Sequence, residues 1–92
     1  METMNWLSYS MEQTLIEVGA KSVKPYFLVN NAGYTFEKNG LKFDLRHFTN
    51  IYGAEVNYWG ISAKKDGEQF VIKEYSKDFN TFEEAIDFIK GV

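Results

Sequence analysis

Cysteine is absent from this chain of 92 residues, which excludes disulfides, zinc–thiolate centres and thiol catalysis. Histidine occurs once, at His47, and proline once, at Pro25. A single histidine with no spaced Asp, Glu or His partners makes neither a catalytic triad nor a metal site. The glycines are scattered singly, so no glycine-rich phosphate loop opens a helix. No cofactor, no metal and no enzymatic activity are expected. No apolar run approaches the roughly 18 residues of a membrane-spanning helix, and the first residues lack the basic-then-apolar pattern of a secretory signal. A cytoplasmic protein without membrane contact is the expectation. Excess positive charge is missing too: 13 acids face 10 bases, a net charge of −3. Proteins that grip duplex DNA by its phosphates usually carry a strong basic stripe, so the balance disfavours that class.

Aromatic residues, by contrast, are abundant at 17%, with eight Phe, six Tyr and two Trp. Without covalent staples, these rings must supply much of the core. A chain of this length buries about 64% of its unfolded surface, enough for one modest core. Residues 1–92 therefore read as a single domain. Charge is unevenly placed: residues 1–20 carry −3, residues 21–76 carry +2 and residues 77–92 carry −2.

The first element is a helix over residues 3–19. Met4, Leu7, Met11, Leu15 and Val18 recur at spacings of three and four, and Gly19 suits the position just past a helix end. An alternative start lies at Ser10, where Ser10 and Gln13 match a capping box. Residues 1–9 are then an arm carrying Trp6 and Tyr9. From Tyr26 the period changes to two. Leu41, Phe43 and Leu45 alternate with Lys42, Asp44 and Arg46, as in a strand with one buried face. Asn39-Gly40 is a strong two-residue hairpin signal. It places Glu37 opposite Lys42, Phe36 opposite Phe43, Thr35 opposite Asp44 and Tyr34 opposite Leu45, with every apolar residue on one face. Asn30-Asn31-Ala32-Gly33 reads as a second turn. It folds Tyr26–Val29 back and brings Phe27 and Val29 to the same face.

Residues 47–54 break the alternation and read as a loop. A second hairpin turns at Asp66-Gly67. A two-residue turn there sets Ala63 against Phe70, Ile61 against Ile72 and Trp59 against Glu74 on the buried face. The opposite face then carries Tyr58, Tyr75, Gly60, Lys73, Ser62, Val71, Lys64 and Gln69. A helix closes the chain from Thr81 to Lys90, with Phe82, Ala85, Ile86 and Ile89 on one face. Asn80 with Glu83, or Thr81 with Glu84, forms its capping box. The expected fold is α+β: an antiparallel sheet of about five strands, a meander plus a hairpin, with helices at both ends in the order αβββββα.

Two surfaces carry functional expectations. Tyr58 and Tyr75 should face each other on the outer side of the second hairpin, with Lys64 and Lys73 alongside. Aromatics interleaved with bases stack single-stranded bases, and Tyr is also a favoured protein-interface anchor. The second surface is the stretch from Arg46 to Tyr52, where Arg46, Phe48 and Tyr52 are candidate partner contacts and Phe48, Ile51 and Tyr52 alternative core anchors. Residues 56–89, a Trp-containing hairpin followed by FNTFEEAIDFI, also resemble the three-strand-plus-helix DNA-binding unit of plant ethylene-response factors and integrase arm-binding domains. That resemblance implies a sheet entering the major groove. The reading strands of those families are rich in Arg, whereas the matching face here has Lys64 and Lys73. The leading expectation is a small non-enzymatic protein-binding module, an inhibitor or adaptor that occludes its partner. Its size and style are those of phage anti-defence proteins, including inhibitors of CRISPR effectors. A protein partner is expected, with a nucleic-acid-processing enzyme among the candidates. A nucleic-acid-binding domain working through the outer sheet face is the alternative.

Overall fold

A computed structural model of the chain describes residues 9–29, 31–51 and 53–92. Helix α1 (Tyr9–Glu17) leads into strands β1 (Lys21–Phe27), β2 (Asn31–Lys38), β3 (Leu41–Ile51) and β4 (Ala54–Lys65). A short 3-10 turn (Lys73–Tyr75), strand β5 (Lys77–Phe79) and helix α2 (Phe82–Lys90) follow. The strands form one antiparallel sheet in the order β1-β2-β3-β4-β5. This is the α+β order αβββββα expected from the periodicities. The arm and the residues Met4, Trp6 and Leu7 lie outside the described residues. Helix α1 is described from Tyr9, so Ser10 lies within the helix and does not cap it.

The β2–β3 register is the one dictated by Asn39-Gly40. Glu37 pairs with Lys42, Phe36 with Phe43, Thr35 with Asp44 and Tyr34 with Leu45. Both turn residues have positive φ, 56° at Asn39 and 79° at Gly40, the geometry whose twist matches the flanking strands. The Phe36 and Phe43 rings stack at 5.2 Å with 9° between planes. On the same face lie Ala32, Tyr34, Leu45, Trp59, Ile61 and Ala63, all buried. They join Leu15 of α1 and Ala85, Ile86 and Ile89 of α2 in one core, so both helices cover one side of the sheet. Thr81 caps α2, its hydroxyl accepting from the Glu84 amide at 3.1 Å, while Glu84 Oε1 accepts from the Asn80 amide at 3.0 Å. At the other end of α2, Lys38 Nζ reaches from β2 to donate to the Ile89 carbonyl at 2.6 Å and the Val92 carbonyl at 3.1 Å. A cation there complements the negative end of the helix dipole, where the Ile89 carbonyl also accepts from the Val92 amide at 3.1 Å.

Three local expectations are corrected. The second hairpin does not form with a two-residue connection. The Asp66-Gly67 turn itself forms, with the Glu68 amide donating to the Lys65 carbonyl at 3.0 Å, but residues 68–71 leave the sheet, Phe70 is 75% exposed, and Trp59 pairs with Phe79, five residues beyond the expected Glu74. The tight register would have put Glu74 on the buried face, whereas the observed one puts Phe79 there. Burying Phe79 outweighs closing the shorter loop, because loop-closure entropy grows only slowly with length. Residues 47–51 are not a loop: β3 continues to Ile51, and β4 starts already at Ala54. The alternation breaks because the register shifts between Phe48 and Asn50, a bulge that takes residues off the two-residue period. The first turn also moves upstream. The Leu28 amide donates to the Asn31 carbonyl at 2.7 Å, and 31–33 belong to β2. Phe27 does fall on the helix side, opposite buried Ala32, but it stays 53% exposed, and Val29 is 91% exposed in the turn.

Phe43 occupies the middle strand and touches both the Phe36 stack and Tyr75. Phe43→Ala should lower the unfolding free energy by about 3–5 kcal/mol, read from urea denaturation followed by tryptophan fluorescence. A loss below about 1 kcal/mol would contradict a buried, stacked Phe43.

Candidate functional site

The face of the sheet opposite the helices bears no described helix. Side chains reach it at alternate positions, and register sets them in rows across the strands. One row runs Tyr26, Gly33, Arg46, Gly60 and Asp78 across all five strands. The next holds Asn31, Phe48 and Tyr58. Two glycines therefore flank Arg46. A Cβ at Gly33 would collide with the Leu45 carbonyl oxygen and stand 2.9 Å from the Tyr26 hydroxyl. A Cβ at Gly60 would stand 3.0 Å from the Phe48 ring and 3.2 Å from an Asp78 carboxylate oxygen. The missing side chains let larger neighbours lie down over the strands.

Those neighbours form a ladder. The Arg46 Cζ stands over the Tyr26 ring at 5.5 Å and over the Phe48 ring at 5.7 Å. Phe48 stacks on Tyr58 with centroids 4.8 Å apart and planes 16° apart. Hydrogen bonds lock the charged end. The Tyr26 hydroxyl donates to Asp44 Oδ1 at 2.6 Å, Arg46 Nε donates to the Tyr26 oxygen at 2.8 Å, and Arg46 Nη2 meets Asp44 Oδ2 at 3.3 Å. Burial and the hydrogen bond that its hydroxyl donates to Asp44 push the Tyr26 phenol up to about 12, against Arg46, which acts the other way. The guanidinium is thus neutralised by a carboxylate, held by a phenol and placed within reach of two rings. Each cation–π contact at such a site contributes about 0.5–1 kcal/mol and the ring pair about 0.5–1.5 kcal/mol. The larger consequence is rigidity: four long side chains are ordered before any partner arrives.

Of the anticipated contacts, Tyr58, Arg46 and Phe48 come together here, although they were assigned to two separate surfaces. Lys64 shares the face at its far end, beside Lys42 and Lys24. These three lysines border a groove of about 530 Å³ that also contains Glu37 and Asp44. Tyr75 is not opposite Tyr58. The shifted register carries it to the helix side, where it meets Phe43 at 6.0 Å and Phe88 at 6.2 Å. Lys73 sits in the exposed 3-10 turn, off the sheet. Tyr52 lies outside the described residues. Tyr26, Asp44 and Asp78 had not been anticipated, and the glycines Gly33 and Gly60 were the only sequence signal for them. His47 stacks on Trp59 at 4.4 Å, and its Nε2 lies 2.8 Å from Asn57 Oδ1. It therefore belongs to the helix-side end of the sheet and not to the ladder. The three-strand-plus-helix unit suggested for residues 56–89 is not formed by that stretch alone, which supplies only β4, the three-residue β5 and α2. No protein-family model, no curated protein and no solved structure matches the chain.

The ladder can be tested through Tyr26. Because its folded pKa exceeds the ordinary 10.0, its contribution to stability is intact below pH 10 and is lost as pH rises through about 12. Ultraviolet titration should show a tyrosine step near pH 12. Tyr26→Phe should delete that step and the matching loss of stability. A wild-type protein with no tyrosine step near pH 12 would contradict the Tyr26–Asp44 bond.

Proposed function

We propose that the chain is a non-enzymatic protein-binding module, an inhibitor or adaptor that docks through its helix-free sheet face and occludes its partner. The observation that carries this reading is the preordered Tyr26–Arg46–Phe48–Tyr58 ladder on that face. Tyr and Arg are the residue types that dominate binding energy at protein interfaces, and ordering them beforehand lowers the entropy lost on association. At the same end of the sheet stand the exposed Leu28 and Val29, which add apolar area at the rim. The ladder also argues against stacking of bases. The faces of Tyr26 and Phe48 are already occupied by Arg46 and Tyr58, and Arg46 is already satisfied by Asp44. The surface thus offers ring edges and hydroxyls more than open platforms and free cations. An apolar partner surface with basic character is the best complement, as in the nucleic-acid channel of a nucleic-acid-processing enzyme.

A second reading, single-stranded nucleic acid, draws on the other end of the face. Lys42 and Lys64 are directly opposed in the β3–β4 register, an arrangement of like charges that normally destabilises a sheet. Asp66, at 3.2 Å from Lys42, relieves it only from an exposed position.

The two readings separate in one set of measurements. Capture from cell extract with mass spectrometry identifies the partner, and titration then gives its affinity. Tyr58→Ala should weaken that affinity by roughly 1–3 kcal/mol while lowering the unfolding free energy by no more than the roughly 0.5–1.5 kcal/mol of the Phe48 stack. Lys64→Glu should act weakly, mainly on the association rate. A single-stranded oligothymidylate that binds at physiological salt with a steep salt dependence, and is released by Lys64→Glu, would replace the protein-binding reading with the nucleic-acid one.

A further inference from the structure

The ladder has an open end. Phe48 covers Tyr58 from the β3 side, and on the other side β5 would have to continue past Phe79 to cover it. It does not, because Asn80 and Thr81 turn the chain into α2. A notch of about 410 Å³ is left at that position, lined by Asn57, Tyr58, Asp78, Phe79, Asn80 and Glu84. It contains two carboxylates, two aromatic rings, two amides and no base. Lys77, the basic residue next to it in sequence, leans onto the Phe88 ring on the helix side at 5.8 Å. Asp78 is exposed and has no ion pair among the described residues. Glu84 uses Oε1 to hold the Asn80 amide.

The same surface shows what such a setting accommodates. One row away, the Arg46 guanidinium lies over aromatic rings and is held by the Asp44 carboxylate. The notch offers the same combination without a cation: the Tyr58 ring, with Asp78 and Glu84 beside it. We infer that the notch receives an arginine side chain of the partner protein, stacked on Tyr58 and held by Asp78 and Glu84, as the next rung of the ladder. This inference rests on the docking face proposed above and names the partner chemistry read at one end of it. Guanidinium suits the site better than ammonium because its flat, weakly hydrated face packs on a ring while its edge donates to carboxylates.

The probe is N-acetyl-arginine amide, with N-acetyl-citrulline amide as the neutral analogue of the same shape. Titration of the full chain at low ionic strength, followed by amide and tyrosine-ring NMR signals, should move Asn57, Tyr58, Asp78, Phe79 and Asn80 together. Asp78→Asn with Glu84→Gln should weaken the arginine probe roughly tenfold, since an exposed ion pair and a cation–π contact are both lost or reduced. Gln at position 84 can still accept from the Asn80 amide, so the helix cap is retained. Tyr58→Leu, which leaves both carboxylates, should weaken it roughly threefold. Citrulline should leave the signals in place. Equal binding of citrulline overturns the inference, as does an arginine response spread evenly over Glu12, Glu17 and the other acids, or one unchanged in the double variant. Should the probe ignore the notch while Tyr58→Ala still releases the captured partner, the arginine site falls and the docking face stands. Should the probe fill the notch while capture survives Tyr58→Ala, the docking reading falls instead.

Discussion

The stacked Phe36–Phe43 pair at the Asn39-Gly40 turn is the contact on which the rest of this structure depends. It holds β2 and β3 in one register, and β3 is the strand from which both faces are organised. On the helix side that register aligns Tyr34, Leu45 and Ile61 beneath α1 and α2. On the other side it brings Gly33 beside Arg46, and the β3–β4 register brings Gly60 to its other flank. A slip of one residue would send the core rings to solvent and place side chains where the ladder needs none. Stability and the outer surface are therefore consequences of the same pairing.

The outer face leaves large rings at the surface beside two strand glycines. Tyr26, Phe48 and Tyr58 are only half-buried, yet Tyr26 is held by hydrogen bonds to Asp44 and Arg46, and Phe48 and Tyr58 stack on each other. Leaving such rings at the surface forgoes the stabilisation that full burial would give, about 1.5–3 kcal/mol for a large apolar side chain. The glycines beside them forgo strand-forming side chains as well. Local choices that cost stability are expected where a surface is used. The charge distribution is equally two-sided. The helices carry Glu12, Glu17, Glu83, Glu84 and Asp87 against Lys90, whereas the lysines gather at the far end of the open sheet face. A partner approaching the ladder would thus meet apolar edges first, with acidic groups toward α2 and basic groups toward the Asn39-Gly40 turn.

Much of this architecture was legible in the residue order. The period-two alternation of Leu41, Phe43 and Leu45, the Asn39-Gly40 turn and the Thr81–Glu84 cap each act within a few residues, so their outcome does not depend on distant chain. They were sufficient for the element types, their order, the β2–β3 register and the helix-facing side of the sheet. The candidate site was legible only in part. Arg46, Phe48 and Tyr58 could be named, but not joined, because a bulge between Phe48 and Asn50 disguised the continuation of β3.

Folding in three dimensions settled what remained, and it did so through competition between non-local alternatives. The Asp66-Gly67 signal favoured a tight hairpin, but that hairpin would have buried Glu74 beside Trp59. Burying Phe79 there, against Trp59 and Phe88, is worth more than a short loop, so β5 moved and took Tyr75 to the core side. The ladder draws on β1, β3 and β4, and the notch on β4, β5 and α2. Neighbours of that kind are set by the sum of several registers and by which side chain wins each buried place. Local propensity and turn chemistry encode each strand separately; only the packed core selects how the strands align.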